Sequence, residues 1–184
     1  MITIHISELT KTNFDSAKME IEWGISASPF GKMLIAQTER GIVQLSLFES
    51  EETESYDQLT RDWPQAKLKR DDGFASKISS QISKPYPTPT LSLHLRGTAF
   101  QLKVWKALLE IPAGKTRSYS QLAASIGNPR SARAVGNAVG KNRIACLIPC
   151  HRVVCEGGSL GGYRWGRSRK SKLLAWEKSL MTRP

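Results

Sequence analysis

"SYSQLAASIGNPRSARAVGNAVGKN", residues 118 to 142, decides how this chain is read. Apolar spacing predicts a short helix over about 118 to 126, the Gly127-Asn128-Pro129 run stops it, and a second helix restarts through about 139. Two short helices joined by a tight turn give the outline of a helix-turn-helix. The second helix carries Ser131, Ala132, Ala134, Gly136 and Ala138, small enough for its backbone to approach a neighbour closely. Gly136 and Asn137 cost helix stability relative to alanine, which favours such a close-approach role. The same pattern also suits a helix buried against other helices. Arg130, Arg133, Lys141 and Arg143 frame the segment with positive charge, and phosphate contacts beside a narrow helix fit a DNA groove.

Upstream, "AFQLKVWKALLEI" at 99 to 111 sets Phe100, Val104, Ala107, Leu108 and Ile111 on one helical face before "PAGK" ends it. "SKPYPTPT" at 83 to 90 holds three prolines in eight residues and reads as a linker. Before it, residues 54 to 62 and 74 to 83 read as modest helices. Residues 20 to 49 alternate apolar and other residues between "SPFGK" and "TERG", the pattern of three short strands joined by turns. The expected fold is therefore α/β. A small amino-terminal antiparallel-sheet domain spans 1–90 and ends in the Pro-rich linker; a mostly helical domain with the helix-turn-helix spans 91–184.

Charge divides the chain in the same way. Residues 1 to 90 carry 10 Lys and Arg against 13 Asp and Glu, whereas residues 91 to 184 carry 17 against 3. A half this basic reads as a surface for a polyanion, most simply nucleic acid. In the 184 residues no stretch approaches the ~20 apolar residues of a membrane helix, and "MITIHISELTKTNF" lacks the basic start and apolar run of a signal peptide. A cytoplasmic protein with no membrane partner is expected. Cys146, Cys150 and Cys155, odd in number and clustered within ten residues, suit neither a disulfide framework nor secretion.

"LIPCHRVVCEGG", residues 147 to 158, sets Cys150 between a proline and a histidine, with Arg152 next. A cysteine attacks as thiolate and needs nearby positive charge, a base or a helix terminus to ionise near neutral pH. Local sequence also allows an ordinary buried cysteine and a structural, hydrogen-bonded His151. Cys146, Cys150, His151 and Cys155 are four possible zinc ligands, but they sit in one short apolar stretch where "ACLIP" reads as strand. Zinc sites pair closely spaced cysteines across a longer loop, so no metal is expected.

Several motifs in order carry a resemblance. "RGTAFQLKVWKALLEIPAGKTRSYSQLA", "GNPRSARAVGNAV", Asn142, "IPCHRV" at 148 to 153, "GGYRWG" at 161 to 166 and "LLAWE" at 173 to 177 are similar to the O6-alkylguanine-DNA alkyltransferases. The bacterial branch is most similar, including the carboxy-terminal half of the adaptive-response alkyltransferases. The match is dense over 96 to 180 and looser before.

The resemblance implies a ribonuclease H-like sheet in the amino-terminal domain and, in the second, direct DNA repair. The alkyl group of O6-alkylguanine, with O4-alkylthymine as a further substrate, passes irreversibly to Cys150. His151 links to the thiol through a water and to Glu177 on the last helix; Asn142 ties the recognition helix to the active-site turn. Tyr119 meets the flipped nucleotide and assists protonation of the leaving base. Arg133 fills the vacancy left in the duplex, with Arg130, Ser131, Ala132, Ala134, Gly136 and Asn128 on the DNA. Val153, Gly161, Tyr163, Arg164 and Trp165 form the base pocket, the bulky Arg164 and Trp165 narrowing it toward small adducts. The implied partner is double-stranded DNA containing O6-alkylguanine, bound by a monomer that uses no cofactor. The zinc-holding cysteines of some relatives have no counterpart here. A non-catalytic alkyltransferase-like lesion-binding protein is the main alternative, disfavoured by Cys150, because such proteins replace that cysteine. A major-groove regulator and a Cys-His hydrolase are the others.

Overall fold

The computed structural model describes residues 3–9, 18–49, 52–83 and 90–181, so residues 84–89 of the expected linker lie outside the described residues. The chain divides into two compact units, Met1–Gly97 and Thr98–Pro184.

The first unit is built on a meander of β2 (Glu20–Ser28), β3 (Gly31–Thr38) and β4 (Gly41–Phe48), preceded by β1 (Thr3–Leu9). Ile25 lies opposite Leu34, and Leu34 opposite Ser46. Ser28 makes the first turn local: its Oγ accepts from Phe30 N at 3.1 Å and donates to Gly31 O at 2.6 Å. The meander is as expected, but the whole sheet is mixed rather than antiparallel, in the order β1-β6-β4-β3-β2-β5. β5 (Lys67–Arg70) runs parallel to β2, while β6 (Thr90–Arg96) runs parallel to both β4 and β1. β6 therefore belongs to this sheet, and the boundary expected at residue 90 moves to 97. Every residue of β4 is buried, as in a strand covered on both faces.

Two helices complete the unit, α1 (Thr53–Asp62) and α2 (Asp72–Ser83). Leu59 and Trp63 join Ile21, Trp23, Leu34, Ala36, Val43 and Phe48 in one apolar cluster. α2 packs on β2 and β3 and buries Ala75, Ile78 and Ile82. Its start presses so close to β2 that a Cβ on Gly24 would stand 2.1 Å from the Asp71 carbonyl oxygen, a place only glycine fits.

The second unit contains α3 (Ala99–Leu109), β7 (Arg117–Ser118), α4 (Tyr119–Ser125), α5 (Ala132–Gly140), β8 (Val153–Val154) and α6 (Arg167–Met181). α3 and α4 each begin with a reciprocal cap: Thr98 with Gln101, and Ser118 with Gln121. α3 buries Leu102, Val104, Trp105 and Leu108, so its apolar stripe is rotated from the expected one and leaves Phe100 and Ala107 half-buried. Trp105 decides the rotation, since its indole N–H reaches the Ala138 carbonyl of α5 at 2.9 Å.

α4 ends where the sequence says it must. Gly127 adopts φ of 74°, its N–H donates to Ala124 O at 2.9 Å, and Asn128 N–H donates to Ala123 O at 3.0 Å. This paired closure needs a left-handed residue, which glycine supplies at least cost. Val135, Ala138 and Val139 of α5 are buried, while Arg133, Ala134, Asn137 and Gly140 are exposed. One face of the small-residue helix is thus packed against its own unit, and the other is left exposed. No helix of the described residues is long and apolar enough to cross a membrane.

Candidate active site

Pro149 leads into a single 3-10 turn, Cys150–Arg152, from which β8 continues. In such a turn successive side chains diverge by about 120°, so the three neighbours serve three directions. "ACLIP" is not strand: residues 145–147 form turns, and Cys146 takes the left-handed φ of 63°. Pro149 and this irregular backbone carry the chain back from α5.

Cys150 is buried. Burial pushes its thiol from the ordinary 9.0 up to about 11, opposed by a hydrogen bond from Asn142 and by the charges of Lys170 and Arg164. Asn142, itself buried just after α5, sets its Nδ2 3.2 Å from Cys150 Sγ and 3.1 Å from both Ile144 O and Ile148 O, while Oδ1 accepts from Ile144 N at 2.9 Å. One amide thus knits the end of α5 to the turn that holds the sulfur.

His151 points to α6. Its Nε2 lies 2.7 Å from Glu177 Oε1, with both residues buried. The hydrogen bonds to His151 and Arg152 hold the Glu177 carboxyl down at about 2, against the effect of burial. An ionised carboxylate only accepts, so Nε2 carries the proton of this bond. Burial lowers the proton affinity of the imidazole as a whole. The neutral ring then bears its lone pair on Nδ1, a buried atom with no hydrogen-bond partner among the described residues. The site therefore holds a base with its free lone pair inside, one residue from the thiol.

Arg152 does not activate the thiol as its place in the sequence suggests. Its Nη2 and Nε bind Glu177 Oε1 at 2.7 and 3.1 Å, Nε also binds Oε2 at 3.0 Å, and Nη1 binds Ile111 O. Gly114 N donates to Oε2 at 3.1 Å. Sequence reasoning also passed over Lys170, whose ammonium donates to the carbonyls of Val153, Leu160 and Gly162. Lys170, Leu173 and Glu177 share the buried face of α6, and a lysine in register with that stripe was the available signal.

A pocket of about 380 Å³ opens on Cys150, within the usual range of small-ligand sites. Tyr119, Gly136, Val139 and Gly140 form one side; Gly162, Tyr163 and Arg164 form the other. Val153, Gly161 and Trp165, expected in this wall, do not line it. Val153 is fully buried in β8, where its carbonyl serves Lys170. Trp165 is buried behind Tyr163, the rings meeting at 5.3 Å and 65°. Gly161 stands behind the wall with φ of 63°, where a Cβ would come 2.8 Å from Cys155 Sγ. Tyr119, at the start of α4, is half-buried, and a Cβ on Gly136 would rest 3.6 Å from its ring. Of the residues expected on DNA, Asn128, Arg130, Arg133 and Ala134 are exposed, whereas Ser131, Ala132 and Gly136 are half-buried.

The helical unit, with its small-residue helix beside a pocketed cysteine, matches a family model of a DNA-binding domain. Residues 99–179 match the model described as 6-O-methylguanine DNA methyltransferase, DNA binding domain. The methylated-DNA--protein-cysteine methyltransferase of Methanosarcina barkeri is 40% identical over 157 residues, covering 85% of this chain and 97% of that protein. The bifunctional transcriptional activator/DNA repair enzyme Ada of Escherichia coli is 42% identical over 163 residues, 86% of this chain and 46% of that protein. The chain spans about half the length of the Ada-type relatives it matches. A crystal structure of Mycobacterium tuberculosis OGT in complex with DNA superposes with a TM-score of 0.69 at 37% identity, covering 86% of this chain and 94% of that one. The chain belongs to the methylated-DNA--protein-cysteine methyltransferase family.

Proposed function

We propose that this protein repairs alkylated DNA directly, moving the alkyl group of O6-alkylguanine in duplex DNA to Cys150 once per molecule. The observation that carries the reading is Cys150 on the wall of a base-sized pocket, its sulfur held by Asn142 and flanked by the His151–Glu177 pair. His151 Nδ1 takes the thiol proton through a water. The thiolate attacks the alkyl carbon, the S–C bond forms as the C–O6 bond breaks, and the electron pair leaves on the guanine. Tyr119 gives its phenol proton to the departing base and regains one through water from the His151 imidazolium, so the thiol's proton ends, in net, on the guanine and atoms and charge balance.

The pocket admits a base only outside the stack. α4, the turn at Gly127 and α5 act as the helix-turn-helix, with α5 in the minor groove, where Ala134 and Gly140 keep its exposed face narrow. Arg133 is the long exposed side chain on that face and fills the hole left by the flipped nucleotide. Arg130 and Asn128 meet the backbone. The half-chain with 17 Lys and Arg against 3 Asp and Glu supports this binding, and the OGT relative in complex with DNA agrees with it. The protein acts as a monomer in the cytoplasm, with two domains divided after β6 rather than at residue 90. The first is ribonuclease H-like: a three-stranded meander, a helix, then a strand parallel to the first.

Titration with excess DNA bearing labelled O6-methylguanine tests the reading. Transfer should stop at one methyl per chain, on the peptide containing Cys150, and Cys150→Ser should lose transfer but keep DNA binding. Cys146→Ser and Cys155→Ser should still transfer. Multiple turnovers, label on another cysteine, or tight lesion binding without transfer would each overturn it, the last in favour of a lesion-binding protein.

A further inference from the structure

Glu177 Oε1 is shared. Its two close donors, His151 Nε2 and Arg152 Nη2, both stand at 2.7 Å, and Arg152 Nε with Gly114 N occupies the other oxygen. A carboxylate offers about four acceptor positions, so none is left over. Guanidinium does not lose its proton in proteins, so the Glu177–Arg152 pair is neutral before the imidazole is counted. A carboxylate facing His151 alone would favour imidazolium strongly in a buried site.

We infer that Arg152 is a positioning residue that keeps His151 a neutral base, by neutralising the carboxylate that orients it. The fork leaves Glu177 able to fix the ring and its tautomer, yet withholds the charge that would keep a proton on Nδ1. A protonated ring could accept nothing from Cys150. The inference rests on the alkyl-transfer reading for its purpose, but not for its measurement. Other groups face this pair from the neighbouring elements. Lys170 of α6 acts in the same direction as Arg152; Cys150 is a buried thiol and Cys146 a half-buried one, both with raised proton affinity, and Tyr163, with Arg169 beyond it, keeps its phenol proton. Of these, only Arg152 binds the carboxylate directly.

The test is the titration of His151 followed by NMR on histidine-labelled full-length chain, assigned against His5 and His94 with His151→Gln. In Arg152→Met the imidazole should hold its proton to a pH higher by about one unit, a tenfold gain in proton affinity. The acid side of the methyl-transfer profile should move up with it. Arg152→Lys keeps the charge without the fork and should shift less, in the same direction; it also serves if Arg152→Met does not fold. His151 titrating identically in wild type and in the folded variants, with transfer reduced evenly at all pH, would overturn the inference and leave Arg152 a mere clamp. If the wild type transfers nothing, the alkyl-transfer reading fails while the titration still decides this one.

Discussion

Replacing Lys170 by methionine keeps an unbranched apolar stem out to the Cε position and removes the ammonium, which makes it a direct test of what that buried charge contributes. The side chain is fully buried, and its Nζ holds the carbonyls of Val153, Leu160 and Gly162. Hydrogen bonds to a charged group stabilise by roughly 1.5–3 kcal/mol each, and an orphaned buried carbonyl costs roughly 1–3 kcal/mol. The Val153 oxygen is sealed in and carries the full cost; those of Leu160 and Gly162 are part-buried, so water recovers some of theirs. Against this, the variant no longer dehydrates an ammonium, several kcal/mol in its favour. The balance expected is a loss of about 3 kcal/mol. Urea unfolding at neutral pH measures it, as a lower midpoint with unchanged slope. Amide exchange should quicken in the segment around 155–162, whose tie to α6 is this lysine. A loss below about 1 kcal/mol, or a gain, would mean that dehydrating the ammonium cancels its three bonds.

Other perturbations discriminate as sharply. The Glu177 carboxyl, held at about 2 against an ordinary 4.5, contributes stability that is complete above about pH 5 and lost as pH falls toward 2, about 3 kcal/mol in all; Glu177→Gln should flatten that acid limb in urea midpoints. Gly161→Ala meets both a left-handed backbone and the Cys155 sulfur and should lose about 1–2 kcal/mol, whereas Gly162→Ala, with open space around it, should lose almost nothing in the same assay; equal losses would refute the close-contact explanation. Arg133→Ala should slow repair of duplex DNA by an amount on the order of a few kcal/mol, the scale of unstacking one nucleotide, yet spare a short single strand; equal slowing on both substrates would remove Arg133 from its assigned role.

What the sequence made legible follows the range of the interactions. The meander β2–β3–β4 and the helices around Gly127 rest on alternation, turn chemistry and caps within a few residues, and local pattern displays these. The parallel pairings of β1, β5 and β6 do not: Ile4 beside Leu91 joins residues far apart in sequence, and nothing local distinguishes that neighbour from another. The three prolines before residue 90 mark a break in helix and read as a boundary, though the strand after them returns to the first sheet. At the site, His151 and Glu177 were paired through family resemblance across 26 positions, not through spacing. Arg152 was noticed for its adjacency to Cys150, but a 3-10 turn sends it to the carboxylate instead. Lys170 was legible only as one more basic residue until α6 turned it inward.

If Cys150 is the single-use acceptor proposed above, its burial also bears on how long the protein lasts before it meets a lesion. With burial pushing the thiol up to about 11, Cys150 carries very little thiolate at pH 7, and the residue is 4% exposed. Dissolved oxidants and stray electrophiles, which react with thiolate, find almost none. A molecule that can react once gains from such dormancy more than a catalyst that turns over, because every accidental reaction removes it for good. On the proposed function, the same wall that slows the intended step thereby sets the shelf life of the reagent, and reactivity begins when a base enters the pocket and brings its alkyl carbon to the sulfur.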